Sequence, residues 1–263
     1  MIRTYILNKN ELPDIDYSED IFSDDRKAKI SRYKREEDRQ LSACAELMLI
    51  YAVRQLQEVS IPLDIKKDER DKLFLPEIPY YFNLSHARDF SACAVSDRPI
   101  GIDIEYFRVK NITYADRILH PEEAAMMAYI SNPDEKKKFF YGCWVAKESY
   151  LKNLGIGLIV RPGDFLVNED QLKILDKDYS QLKGHHSISI TPADEKKAKQ
   201  GDTTLHENLS FLEKRYVHVF EPGEVRGTDW KFDAGYKMAV CSLERDPDST
   251  ARQIHAGDIN GCL

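Results

Sequence analysis

The sequence lacks the features that mark a membrane-spanning protein or a disulfide-stabilised secreted one. None of its apolar runs approaches the roughly 20 residues that a transmembrane helix needs. The 5 cysteines are odd in number, scattered and without C-x-x-C spacing, which favours buried thiols in a reducing compartment over a disulfide framework or a zinc site. The first residues show no long apolar core followed by a small-residue cleavage site, so a signal peptide is not expected. We therefore expect a cytoplasmic protein that does not associate with a membrane.

A net positive charge is also missing. The 263 residues carry a formal net charge of -7 at pH 7, whereas non-specific nucleic-acid binding needs a basic face, so no nucleic-acid partner is expected. The apolar share of 42% and the charged share of 32% are ordinary for a folded soluble chain. The local exception is a basic run from Arg26 to Arg39. It favours either a contact with a phosphate or an acidic partner, or simply a solvated helix face.

The hydrophobic periodicity predicts a mixed α+β fold. Apolar residues recur every three or four positions from Glu36 to Val59, which predicts an amphipathic helix with one buried stripe. A second helix is expected to open at His120 and Pro121, and a longer one to run from Asp134 to Leu154. The predicted strands are Met1–Leu7, Tyr80–Leu84, Phe90–Ser96, Ile100–Glu105, Asp164–Val167, Gln171–Leu175, Ser187–Ile190, Tyr216–Phe220 and Tyr236–Leu243.

The chain also contains a faint internal echo. The segment Phe90–Ser96 resembles Tyr236–Ser242, and each ends a block of a helix followed by strands. This likeness hints at two similar halves, although short apolar strands often look alike.

Two acids in Gly101–Glu105 form the first candidate site. Alternate side chains of a strand share a face, so Gly101, Asp103 and Glu105 should point away from the isoleucines between them. Two carboxylates on one strand face supply half of a site for a hard cation such as Mg²⁺. The alternative, an ordinary half-exposed strand with acidic outer residues, is the more common situation for such a short segment.

The long helix carries the second candidate. Trp144, Glu148 and Lys152 are spaced by four and therefore lie along one face. The glutamate could complete a metal shell or accept a proton, and the lysine could hold a phosphate. The alternative is a solvated Glu–Lys pair that stabilises the helix by a few tenths of a kcal/mol.

The third candidate is Asn83–His86, which we expect in a turn at the end of a strand. No G-x-S-x-G elbow accompanies the Ser-His pair, so hydrolase chemistry is disfavoured. A loop that contacts a phosphate or a nucleotide and a simple turn remain as interpretations.

Taken in order, these segments resemble the Sfp-type 4′-phosphopantetheinyl transferases. The family pattern is an N-x-S-H turn, then G-[VI]-D-[IV]-E, then a W-x-x-K-E-[SA]-x-x-K helix that ends in G-x-G. Here these elements are Asn83–His86, Gly101–Glu105 and Trp144–Lys152 with the glycines that follow, and Gly235–Val240 is similar to a strand of the family. The match runs from about residue 25 to 243, with a poorly matched stretch near 168–229. No single motif is decisive, but their joint occurrence is highly specific.

The resemblance implies a transferase that moves the 4′-phosphopantetheine arm of coenzyme A onto a serine of an acyl, peptidyl or other carrier protein, with Mg²⁺ or Mn²⁺ as cofactor. The short, trimeric holo-carrier-protein synthases have about half this length, so a monomer of two similar α/β subdomains is implied, each with a small antiparallel sheet and a long helix. The implied division is 1–98 for the first half, 99–243 for the second with an insertion near 168–229, and 244–263 for a polar tail. A coenzyme A or carrier-protein binding module without catalysis, and an unrelated Mg²⁺-dependent phosphohydrolase, are the alternatives.

The resemblance also implies residue roles. Glu123 matches an acid that could serve as an alternative base, and Leu41 stands where family members carry an arginine, so Arg39 is the candidate replacement. The implied metal ligands are Asp103, Glu105 and Glu148, the catalytic residues are Asp103, Glu148 and Lys152, and the coenzyme A-binding residues are Arg32, Lys72, Ser85, His86, Lys147 and Lys152.

Overall fold

Two five-stranded sheets, each covered by one long helix, form the framework of the protein. The computed structural model describes residues 1–12, 14–69, 71–108, 113–155, 161–167, 187–192, 215–220, 224–226, 235–243 and 251–261. The helices are α1 (Asp24–Ser31), α2 (Glu36–Arg54), α3 (Ala115–Ile118), α4 (Pro121–Tyr129), α5 (Pro133–Leu154) and α6 (Ala256–Asn260). The strands are β1 (Ile2–Asn8), β2 (Lys66–Lys67), β3 (Leu73–Phe74), β4 (Tyr81–Ala87), β5 (Phe90–Ser96), β6 (Ile100–Tyr106), β7 (Phe165–Val167), β8 (Ser187–Pro192), β9 (Tyr216–Val219), β10 (Val225–Arg226), β11 (Tyr236–Ser242) and β12 (Ala251–Ile254).

The second sheet is wholly antiparallel, whereas the first is mixed. The first has the order β10-β12-β1-β5-β4 and the second β6-β11-β9-β8-β7. In the first sheet β12 runs parallel to β1 and to β10, whereas the pairs β1–β5 and β5–β4 are antiparallel. In the second sheet every pair is antiparallel. The expectation of a mixed α+β fold is confirmed.

Apolar side chains pack in successive layers from α2 to α5. Alternation along β1 sends Leu7 into a core under α2 and Ile6 into a second core between the sheets. On β11, Val240 faces the core between the sheets, whereas Cys241 packs under α5. The order of layers is therefore helix, sheet, sheet, helix.

The long helices begin and end largely where the sequence predicts. Asn132 caps the start of α5 by accepting the backbone N–H groups of Asp134 and Glu135, and Gly155 ends it in the left-handed conformation at φ 68°. Helix α2 stops at Arg54, five residues before the predicted end at Val59. Val59 still packs against the first core from the following loop, which explains why the apolar period continues past the helix.

The C-terminal segment differs from the polar tail that the sequence suggests. Residues 251–254 form β12 beside β1, and α6 packs on α2 through the buried Ile259. The predicted strand Gln171–Leu175 and most of the region 168–229 lie outside the described residues. Within the described part, no helix has both the length and the apolar character to cross a membrane.

Candidate active site

Strand β6 and helix α5 approach each other very closely at Gly101. A Cβ atom on this residue would lie 2.0 Å from the backbone oxygen of Ser149 and 2.4 Å from the backbone nitrogen of Asn153. The Asn153 side chain secures the same contact by donating to the carbonyls of Pro99 at 2.8 Å and Cys241 at 2.9 Å. This contact holds the strand against the helix two residues before Asp103.

Asp103 lies at the centre of a buried polar cluster. Its Oδ1 accepts hydrogen bonds from Lys152 Nζ at 2.6 Å and from Ser85 Oγ at 2.9 Å, and Lys152 Nζ is also 3.0 Å from Ser85 Oγ. The Oδ2 atom is buried and has no hydrogen-bond partner among the described residues. An orphaned carboxylate oxygen of this kind is costly, and a ligand or ion at the site would relieve that cost.

Glu105 and Glu148 extend the cluster, each half-buried. Burial, followed by repulsion from Asp103 and Glu148, raises the pKa of Glu105 to about 7 against the opposing charges of Lys152 and Arg108. Burial and repulsion from Asp103 likewise raise the pKa of Glu148. The negative charges of Asp103, Glu105 and Glu148 therefore repel one another.

The donor set suits a hard cation, because it consists of carboxylates and includes the orphaned Asp103 Oδ2. Across the part of the chain that the structure describes, no three His, Cys, Asp or Glu side chains are gathered closely enough to form a complete metal cluster. The positive charge beside Asp103 in this structure is the Lys152 ammonium.

Strand β4 lies beside β6 and contacts it through side chains. The backbone N–H of Ile102 donates to Asn83 Oδ1 at 2.9 Å, and that of Ile104 donates to Ser85 Oγ at 3.3 Å. The expectation that Ser85 and His86 lie in a turn is wrong, because β4 continues to Ala87 and the turn is formed by Arg88 and Asp89. Alternation in a strand turns Ser85 toward Asp103 and leaves the His86 ring exposed.

The pKa of His86 responds to charges of both this cluster and the basic run. Partial desolvation among surrounding protein atoms lowers its pKa, and the positive charges of Lys152 and Lys29 add to that effect. The imidazole is nevertheless solvent-accessible.

The expectation that Lys147 binds coenzyme A is contradicted. Its side chain is fully buried and donates to Glu123 Oε2, to the Ile118 carbonyl at 2.9 Å and to the Pro162 carbonyl at 2.8 Å. An ammonium group has three N–H donors, so all are used within the protein. Glu123 is equally inaccessible, which also excludes it as an alternative base. This ion pair joins α4, α5 and the segment after α5.

The other expected basic residues contact different parts of the structure. Lys72 Nζ donates to the carbonyl of Asn153 at 2.7 Å, at the C-terminal end of α5. Arg32 is exposed at the end of α1. Arg39 donates to the Tyr33 carbonyl at 2.9 Å and pairs with Glu36 at 3.4 Å.

Tyr141 is not among the site residues predicted from the sequence. This residue precedes Trp144, Glu148 and Lys152 at spacings of three, four and four, so it belongs to the same stripe of α5. Its hydroxyl is 2.6 Å from the backbone nitrogen of Arg108, just beyond β6. The spacing of three and four residues along α5 was the feature of the sequence that could have identified Tyr141.

The fold and the cluster together define an α+β protein with a carboxylate–lysine site between a strand and a long helix. A family model of the 4′-phosphopantetheinyl transferase superfamily matches residues 99–241. A 4′-phosphopantetheinyl transferase of Bacillus subtilis is 30% identical over 228 residues, which cover 85% of this chain and 83% of the relative. The 4′-phosphopantetheinyl transferase Sfp of Bacillus subtilis strain 168 is 28% identical over 226 residues, with the same coverage of 85% and 83%. The transferase HetI of Nostoc sp. is 43% identical over 81 residues, covering 29% of this chain and 33% of its own.

The chain belongs to the 4′-phosphopantetheinyl transferase superfamily and is of the Sfp type. Its activity is the transfer of a phosphopantetheinyl group to a carrier protein.

Proposed function

We propose that this transfer uses coenzyme A as the donor and a carrier-protein serine as the acceptor, releases 3′,5′-ADP, and depends on Mg²⁺ or Mn²⁺. The observation that carries the proposal is the buried cluster in which Asp103 accepts from both Lys152 and Ser85 while Glu105 and Glu148 lie close by. Phosphoryl transfer needs charge neutralised on the phosphate oxygens and a nucleophile placed in line.

Asp103, Glu105 and Glu148 would hold the metal ion. When bound, the ion would neutralise negative charge on the pyrophosphate of coenzyme A. The orphaned Oδ2 of Asp103 supports its place among the ligands. Lys152 contributes a second positive charge for the phosphate oxygens from the next turn of α5 after Glu148.

The chemical step forms a bond between the serine oxygen and the phosphorus next to the pantetheine. The bond from that phosphorus to the bridging oxygen breaks, and 3′,5′-ADP leaves with the bonding electrons. Glu148 accepts the serine proton, because burial and the neighbouring Asp103 raise its pKa and so make its carboxylate a stronger base.

The nucleotide end of coenzyme A would lie along β4 and the basic run. Ser85 and His86 contact it, with His86 and the exposed Arg32 near the 3′-phosphate. Lys72 makes two protein contacts, to Asn153 and Ile100, and an ammonium group retains a further donor for a phosphate oxygen.

We also propose that residues 1–98 and 99–243 are two halves related by a pseudo-twofold axis. Two matching sheet orders support this idea, β1-β5-β4 and β6-β11-β9, both antiparallel. In each half the helix follows the first of these strands in sequence and covers the sheet. A protein built of two such halves already contains the complete site, so we expect a monomer. We also expect it to act in the cytoplasm.

Intact-mass measurement of an apo carrier protein, incubated with this protein, coenzyme A and Mg²⁺, tests the function. We expect a gain of one phosphopantetheine that disappears with EDTA and with a carrier whose acceptor serine is alanine. No gain across several carriers despite coenzyme A binding would indicate a binding module. Hydrolysis of phosphate esters without any carrier would instead indicate a phosphohydrolase.

A further inference from the structure

Tyr141 is buried at the end of β6 that lies opposite Gly101. Its ring stacks on Phe107 at a centroid distance of 4.8 Å and on Trp144 at 5.8 Å with nearly parallel planes. Three aromatic rings therefore connect the end of the strand to the stripe of α5 that carries Glu148.

The Tyr141 hydroxyl takes the place of a strand partner. The pairing of β6 with β11 ends at Tyr106, and one further bond runs from the Phe107 N–H to the Gly235 carbonyl at 2.6 Å. At the next residue the Arg108 N–H donates to the Tyr141 hydroxyl at 2.6 Å, and that hydroxyl donates to the Arg108 carbonyl at 3.1 Å. One side chain thus satisfies both backbone groups of Arg108.

Two anchors bracket the acidic cluster. Gly101 contacts the backbone of α5 near Asn153, and Phe107 stacks on Tyr141. The two anchors are six residues apart along the strand, which is about 20 Å, and twelve residues apart along the helix, which is about 18 Å. Their spacing is therefore similar on both elements. Asp103 and Glu105 lie between them on the strand.

Resting on the proposed function, we propose that Tyr141 is a positioning residue whose hydroxyl fixes the separation between Glu105 on β6 and Glu148 on α5. Without the hydroxyl, the strand end is held by ring packing alone, and the Glu105 carboxylate is free to move relative to Glu148. The two glutamates then meet a shared cation in a poorer geometry, and binding of that cation weakens.

The test compares Tyr141→Phe with Tyr150→Phe. Both substitutions remove one hydroxyl from a fully buried ring of α5, but Tyr150 packs on Phe165 in the core under the second sheet. Mn²⁺ affinity of the isolated protein is measured by electron paramagnetic resonance, kcat and KM by carrier modification, and folding by circular dichroism. We expect Tyr141→Phe to weaken Mn²⁺ binding about tenfold and to lower kcat more than it changes KM for coenzyme A. Tyr150→Phe should change Mn²⁺ affinity less than twofold.

A second substitution keeps the test informative if Tyr141→Phe folds poorly. Phe107→Leu retains the hydroxyl contact and removes only the stacked ring, so we expect a smaller loss of Mn²⁺ affinity. Unchanged Mn²⁺ affinity in a folded Tyr141→Phe protein, or equal losses in Tyr141→Phe and Tyr150→Phe, would overturn the positioning role while leaving the metal assignment intact. Absence of Mn²⁺ binding in the wild-type protein would overturn the metal assignment and the positioning role with it.

Discussion

Replacing Gly101 by alanine should separate β6 from α5 and disturb the site from outside it. The added Cβ would lie 2.0 Å from one backbone atom of α5 and 2.4 Å from another, and backbone cannot move aside as a flexible side chain does. Overpacking of a tight contact costs about 1–3 kcal/mol, and a clash with several backbone atoms of α5 belongs at the upper end of that range. For a chain of this size, about 3 kcal/mol corresponds to a fall in Tm of roughly 6–12 °C. Because Asp103 is two residues away, a displacement near 1 Å should reduce carrier modification about a hundredfold.

Gly142→Ala provides the matched control. Gly142 lies within α5, the helix that Gly101 contacts, and a Cβ on Gly142 would meet nothing within 4 Å. We expect this substitution to stabilise α5 by about 0.5–1 kcal/mol through helix propensity, with activity unchanged. Calorimetric unfolding and carrier modification would be measured for both variants. A Gly101→Ala protein with the wild-type Tm and rate, or two alanine variants that shift Tm in the same direction, would contradict the tight contact between β6 and α5.

Four further substitutions test other parts of the structure. Asp103→Asn and Glu148→Gln should each reduce carrier modification at least a hundredfold while circular dichroism stays unchanged, and near-normal rates in both would contradict the assigned roles. Lys147→Met should destabilise the fold by about 3–5 kcal/mol in urea unfolding, because Glu123 is left buried without its partner, whereas a role in coenzyme A binding would instead raise KM in a stable protein. Burial lowers the pKa of Lys72 from 10.5 to about 8, so the unfolded chain binds the extra proton between these pH values. The unfolding free energy of the wild type should therefore rise by up to about 3 kcal/mol relative to Lys72→Met between pH 8 and 10.5, and parallel pH curves would contradict this.

The local geometry of the site could be predicted from the sequence because it follows from two repeat lengths. A period of two along β6 turns Asp103 and Glu105 to the face that meets α5, and a period near four along α5 aligns Trp144, Glu148 and Lys152. Caps also act locally, so the start and end of α5 at Asn132 and Gly155 were predictable within a residue or two.

Long-range packing could not be predicted in this way. Lys147 is adjacent to Glu148 in sequence, yet neighbouring side chains of a helix point about 100° apart. The burial of Lys147 depends on the carbonyls of Ile118 and Pro162, 29 and 15 residues away. The strand Ala251–Ile254 has a weak local pattern and is stabilised by pairing with β1 at the other end of the chain. Propensity carries no information on either contact.

The position of Asp103 depends on both sheets at once. Its two neighbours in the strand, Ile102 and Ile104, donate their backbone N–H groups to Asn83 and Ser85 of β4, and its carboxylate is held by Lys152 of α5. Ser85 therefore serves two purposes, since one hydroxyl both joins the sheets and contacts Asp103. A site assembled from three elements in this way forms only when the two sheets are correctly packed together. This requirement explains why the motifs are individually weak and specific only in combination, because each one supplies a single side of the same cluster.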